Sequence, residues 1–178
     1  MKLLMHSCCG PCSIYPLEVL KAEGYEVTAC YLNPNIHPFK EFEARLNSLE
    51  KVLQDNDVEL LATSPYGLEM FIHGLDGQFT NRCGYCYKLR LNETARLAAN
   101  AGFEVFSTSL LVSPYQNQEK IIAAGLEAGK MYGVDFLVKD FRSGYRQAME
   151  KARQMGLYMQ KYCGCIFSEE ERYLKINK

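Results

Sequence analysis

The sequence predicts an α/β fold on a parallel sheet, and three observations carry that prediction. Apolar runs of strand length alternate with longer segments whose apolar residues recur at helical spacing. Glycine, proline or asparagine marks most changes from one to the other. The elements are joined by short connections, and parallel strands need the helical crossovers that this alternation supplies. Together these give a Rossmann-like parallel sheet of about five strands with helices on both faces.

Lys2 to His6 is a short apolar strand ending at a Cys/Gly/Pro turn, and Ile14, Leu17, Val19 and Leu20 mark a helix that stops at Gly24. Tyr25 to Leu32 is a second strand, closed by Asn33-Pro34-Asn35. Phe42, Leu46, Leu49 and Leu53 then recur at helical spacing. Val58 to Thr63 reads as a third strand. A glycine-rich loop from Gly67 to Gly77 precedes a helix from Tyr85 to Ala99, which Gly102 ends. Phe103 to Ser109 is the fourth strand. Ser113-Pro114 opens a helix through Ile122, Leu126 and Met131, and Gly133 closes it. Val134 to Lys139 is the fifth strand, and a last helix runs from Tyr145 to about Met155. No internal repeat interrupts the series, so residues 1–178 are expected to form one domain.

At 178 residues, 48% hydrophobic and 23% charged, the chain is long enough to bury its own core. Twenty basic against twenty-one acidic residues give a net charge of -1, which excludes a histone-like polycation and a solvating acidic tail. The N-terminal apolar run is shorter than the roughly 7–15 residues of a secretory signal, and no stretch nears the roughly 18 of a membrane span. A cytoplasmic protein with no membrane partner is therefore expected. In that reducing compartment, cysteine clusters are more often metal ligands or redox catalysts than disulfides. Eight cysteines in 178 residues also fall below the roughly 8–10% of a disulfide-stapled scaffold.

Seven of those cysteines form three groups. Cys8, Cys9 and Cys12 follow the first strand, Cys83 and Cys86 lie between the third and fourth, and Cys163 and Cys165 follow the last predicted helix. Ligands of open α/β sheets bind at the carboxyl ends of the strands. The first group stands at such an end, where the other two are able to fold over it. Cys30, inside the second strand, reads as a small buried hydrophobe.

Three chemistries suit the groups. Cys9-Gly10-Pro11-Cys12 is a dithiol motif between strand and helix, where a helix N-terminus lowers the pKa of the first thiol, yet dithiol exchange has no use for five further sulfurs. Structural zinc takes four thiolates, although zinc modules usually keep ligand pairs close in sequence and here about seventy residues separate the groups. An iron-sulfur cubane takes four cysteines from distant parts of a chain, and the excess over four suggests a second metal. Because side chains of an extended backbone alternate, Cys8 and Cys9 are expected to reach different centres.

Longer motifs carry a resemblance. HSCCGPCS (His6 to Ser13), YLNPNIHP (Tyr31 to Pro38) with Arg45 in the following helix, and NRCGYCYKLRLNETA (Asn81 to Ala95) lie in the first half. STSLLVSPYQN (Ser107 to Asn117), KDFR (Lys139 to Arg142) with Gly144-Tyr145, and GLYMQKYCGCIFS (Gly156 to Ser168) lie in the second. Almost end to end, the chain resembles the cobalamin-independent epoxyqueuosine reductases, the QueH family. It departs from the family's usual pattern before Arg82, where Gly77-Gln78-Phe79-Thr80 stands. The resemblance implies reduction of epoxyqueuosine to queuosine at the wobble position of tRNA anticodons, using a 4Fe-4S cluster and an additional iron nearby. A sulfur-transferring ATP pyrophosphatase is not implied, because the cysteine motif replaces its SGGxDS phosphate loop.

Turning an epoxide into an alkene removes the oxygen as water and takes two electrons and two protons. On this reading Cys9, Cys83, Cys86 and one of the CxC pair, Cys165, hold the cluster. Cys8, Cys163 and Asp140 hold the second metal, with Cys12 in the same thiol set. Asp140 follows the fifth strand, but beside Lys139 and Arg142 it equally reads as a surface ion pair. His37 and Tyr162 are candidate proton donors, against a backbone-bonded turn histidine and a packed aromatic. His6 reads as a core residue close to the ligands, and His73 has no functional reading. The electron donor is expected to be a protein or a small reductant. Six basic residues against two acids between Lys139 and Lys161 form a candidate face for tRNA phosphates, opposed by an acidic run from Glu41 to Glu59. Tyr85, Phe141 or Tyr145 is expected to stack on an unpaired base.

Overall fold

A computed structural model describes residues 1–174. Its strands are β1 (Lys2–His6), β2 (Glu26–Tyr31), β3 (Leu60–Thr63), β4 (Val105–Thr108) and β5 (Asp135–Phe136). Its α-helices are α1 (Gly10–Ala22), α2 (Phe39–Asp55), α3 (Leu68–Gly74), α4 (Arg82–Asn100), α5 (Gln118–Tyr132), α6 (Tyr145–Gln154) and α7 (Ile166–Tyr173). The strands form one parallel sheet in the order β3-β2-β1-β4-β5.

The central strand β1 is apolar without alternation because both faces are covered: Leu3, Leu4 and Met5 are fully buried. α1 packs with α2 and α6, and α4 packs with α5, as right-handed crossovers running in opposite directions from β1 require. The chain turns from β1 to β2 on one side and returns to β4 on the other. The carboxyl ends of β1 and β4 therefore border the crevice in which open sheets bind ligands. α1 and α2 touch closely where the first cysteine group begins: a Cβ on Gly10 would stand 2.3 Å from the Ser48 carbonyl oxygen.

Several elements differ from their expected extents. The glycine-rich segment after β3 contains α3, stabilised because Phe71 and Leu75 are buried against Cys86 and Cys165. α4 begins at Arg82, which puts Cys83 and Cys86 three residues apart on one face of its first turns. Residues Ser109–Val112 form a short 3-10 turn, and α5 starts only after Asn117, whose side chain accepts the Lys120 N–H. β5 is two residues long. α7 follows the CxC pair, with Cys165 at its N-cap.

Candidate metal centre

β1 ends at His6, the backbone bends at Cys8, and Cys9 is the N-cap of α1. That turn gathers Cys8, Cys9 and Cys12, whose sulfurs all lie within 4.8 Å of one another. The Cys8 and Cys9 sulfurs are 3.8 Å apart, so the expectation that adjacent cysteines face different centres is corrected. The strand has ended before Cys8, and the alternation of an extended backbone no longer applies. Thiol hydrogen bonds from Cys12 and Cys9, with the Ser109 hydroxyl at 3.5 Å, hold the Cys8 thiol well below its usual range. Burial pushes Cys9 up, and the bond to Cys8 pushes Cys12 up. A dithiol catalyst needs the reverse, an accessible first thiol of lowered pKa.

The other four cysteines of the three groups, Cys83, Cys86, Cys163 and Cys165, line one small cavity. A cavity of about 740 Å³ adjoins it and has Cys8 and Cys12 in its wall; Arg90, Gln116 and Cys163 border both. Three remote segments thus converge. The sulfurs divide into a group of four and a group of three, which corrects the expected partition: Cys9 stands with Cys8 and Cys12 because it caps α1 in the same turn, and Cys163 stands with Cys83, Cys86 and Cys165. All eight cysteines are free thiols, and no carboxylate lines either cavity among the described residues. A thiol-only donor set in a wall that also carries arginines suits thiophilic metals bound as anionic complexes. Cys30 is apart from both groups, fully buried in β2, and burial pushes its thiol up to about 12.

Within the CxC segment Cys165 caps α7 but Cys163 lies in no strand or helix, and a buried clamp holds the segment. Arg45 of α2, 1% exposed, donates Nη1 to the Cys163 carbonyl and Nη2 to the Tyr162 carbonyl, both at 2.9 Å. Its Nε–H bonds Glu41 Oε1 at 2.7 Å, and the Tyr158 hydroxyl donates to the other Glu41 oxygen. His37 completes the clamp: its N–H donates to the Gly164 carbonyl at 2.8 Å, and its Nδ1 accepts the Ile166 N–H at 3.2 Å.

These bonds answer the proton-donor expectations. With Nδ1 accepting, His37 Nε2–H donates to the Pro34 carbonyl at 2.9 Å, so both ring nitrogens are engaged by backbone. The Tyr162 hydroxyl donates to the His37 carbonyl at 2.7 Å. Both residues position the CxC segment. Asp140 does not join the cysteines: its carboxylate is 57% exposed, and bonds from the Arg142 side chain and N–H hold its pKa down to about 2. The Arg two residues on captures it at the surface before it turns inward. His6 is buried beneath the thiols; Asn33 donates to the Ser7 carbonyl and so turns its oxygen to His6 Nε2, while the Thr108 hydroxyl meets Nδ1. Burial, with Arg90 nearby, lowers His6 to about 4, leaving it neutral.

Of the aromatics, Phe141 is buried in the core and Tyr85 lines other cavities, whereas Tyr145 lines the large one. Tyr115, absent from the sequence reading, stands with it edge to face, ring centroids 5.9 Å apart. The basic run is largely neutralised: Lys139, Arg142, Lys151 and Arg153 pair with Glu23, Asp140, Glu18 and Glu150. Lys161 and Arg172 line the large cavity and have no ion pair among the described residues.

Fold and thiols together define an α/β protein with a cysteine-built site, able to hold metal, at the carboxyl edge of its sheet. A solved structure, the predicted subunit of a tRNA methyltransferase from Methanocaldococcus jannaschii, shares the fold at TM-score 0.54 and 12% identity, over 85% of this chain and 76% of that one. The family model for epoxyqueuosine reductase QueH matches residues 3–171. Epoxyqueuosine reductase QueH of Dehalococcoides mccartyi is 35% identical over 99% of this chain and 97% of its own length. Its counterpart in Thermotoga maritima is 33% identical over 96% and 91%. The chain belongs to the epoxyqueuosine reductase QueH family.

Proposed function

We propose that the chain reduces epoxyqueuosine to queuosine at the wobble position of tRNA, with a 4Fe-4S cluster and a second metal, iron, held by its seven grouped cysteines. The observation that carries this reading is the meeting of three remote thiol segments at two adjoining cavities. Relatives covering nearly the whole chain are named for that reaction. Cys83, Cys86, Cys163 and Cys165 are the four thiolates a cubane takes, and Cys8, Cys9 and Cys12 remain for the second metal. When bound, the two groups supply single electrons and a Lewis acid for the departing oxygen. The electrons come from a protein or small reductant.

The chain's own residues bind and orient. A cavity of about 740 Å³ is of a size to admit one modified base. Tyr115, 83% exposed, offers its ring to a neighbouring unpaired base, and Lys161 and Arg172 meet phosphates. Burial and the nearby Cys12 raise the Tyr145 phenol, so Tyr145 keeps its Oη proton at the cavity wall and is the residue placed to release it. The Gln116 amide donates to Cys163 Sγ at 3.3 Å and the Gln160 amide to Cys12 Sγ at 3.5 Å, fixing both sulfurs. Action on tRNA makes the protein cytoplasmic.

The test is to incubate anaerobically reconstituted protein with epoxyqueuosine-containing tRNA and dithionite, then identify the nucleosides by mass spectrometry. Queuosine is expected. A colourless zinc protein that binds tRNA without converting it would replace this reading with a zinc-stabilised RNA-binding module.

A further inference from the structure

Two arginines are buried beside the thiols, and only one has a carboxylate. Arg45 has Glu41. Arg90 of α4 is 3% exposed and donates Nε–H to the Cys86 carbonyl at 3.1 Å, while Tyr87 lies 5.7 Å from its guanidinium. Among the described residues its two Nη atoms have no hydrogen-bond partner and no carboxylate pairs with it. A buried, unpaired guanidinium is costly, and folds keep one where an anion stands near. Arg90 is one of three residues bordering both cysteine cavities, with Cys86 and Cys163 on one side and Cys8 on the other.

We infer that Arg90 is the shared counter-cation of the metal centre, neutralising thiolate-bound metal on both sides and raising the cluster's reduction potential. The inference rests on the proposed cofactor reading. A cubane held by four thiolates is anionic and gains one further negative charge on reduction. A fixed cation in a low-dielectric wall therefore favours the reduced state. Arg82, at the same small cavity, already shares its charge with Glu171 at 2.5 Å. Lys161 and Arg172 are exposed to solvent, which leaves Arg90 as the buried cation without a carboxylate beside the thiols among the described residues.

The test uses anaerobically reconstituted wild type, Arg90→Gln and Arg90→Lys, with iron and sulfide assayed per chain and the cluster titrated by EPR at set potentials. Arg96→Gln, on an exposed part of the same helix, is the control. Arg90→Gln is expected to lower the one-electron reduction constant about tenfold, which is ~59 mV, while Arg90→Lys and Arg96→Gln titrate as wild type. Loss of iron from Arg90→Gln but not from Arg90→Lys equally supports a charge role. An unchanged or higher potential in Arg90→Gln overturns the inference, as does equal loss of iron from both Arg90 variants, which would make the side chain a matter of shape. Wild type that takes up no cluster refutes the cofactor reading itself, a result distinct from either.

Discussion

Arg45 ties α2 to the CxC segment through one buried guanidinium, and its value to the site is that it holds carbonyls rather than ligands. Replacing it by Gln leaves Glu41 buried without its cation, which costs about 3–5 kcal/mol, measurable as a lower urea midpoint. The same change frees the Cys163 and Tyr162 carbonyls, so iron content should fall as well. Unchanged stability would mean that Glu41 is satisfied by Tyr158 alone. Asp140 stands at the other extreme. Its ion pair with Arg142 is exposed on both sides, 57% and 49%, and exposed pairs contribute little. Asp140→Ala should therefore retain wild-type epoxyqueuosine reduction and metal content; a drop in either would return Asp140 to the list of ligands.

Helix starts decide where the sulfurs point. α1 begins against α2 so closely that Gly10→Ala forces a methyl to within 2.3 Å of a backbone oxygen, and backbone cannot yield as a side chain does. The expected outcome is a loss of roughly 1–3 kcal/mol together with reduced metal uptake at Cys8, Cys9 and Cys12, read by thermal unfolding and metal assay. Full metal content with normal melting would show that the contact relaxes freely. At this level the long elements were legible: buried faces impose a repeat on α1, α2, α5 and the strands, and short spacings revealed the thiol groups. α3 and α7 were not, because each is short and its apolar side is completed only by Phe71, Leu75, Cys86 and Cys165 from separate segments. The clamp on the CxC segment was equally hidden. His37 and Arg45 bind backbone carbonyls more than a hundred residues away, and a carbonyl acceptor has no residue-type signature.

Across the whole molecule, charge is arranged by pairing rather than by sequence run. Four of the six cations between Lys139 and Lys161 are matched by acids, leaving Arg146 and Lys161; with Arg172 of α7, Lys161 is one of two exposed cations that line the large cavity without an ion pair among the described residues. With about two phosphates met, the logarithm of tRNA affinity should fall with the logarithm of salt at a slope near -1.4, the single-strand value for two contacts. A flat response would remove these cations from substrate binding; a slope several times steeper would bring the paired face back in. The sheet order explains why one place serves all of this. The carboxyl end of β1 presents the first thiols, with Ser109 after β4 bonded to the Cys8 N–H, α4 lays Cys83 and Cys86 beside them, and the clamp draws in Cys163 and Cys165. Iron-edge anomalous diffraction from anaerobically grown crystals tests that convergence most directly. The account predicts iron at two adjoining positions, one among Cys83, Cys86, Cys163 and Cys165 and the other among Cys8, Cys9 and Cys12. Anomalous peaks remote from these sulfurs, or zinc in their midst, would contradict it.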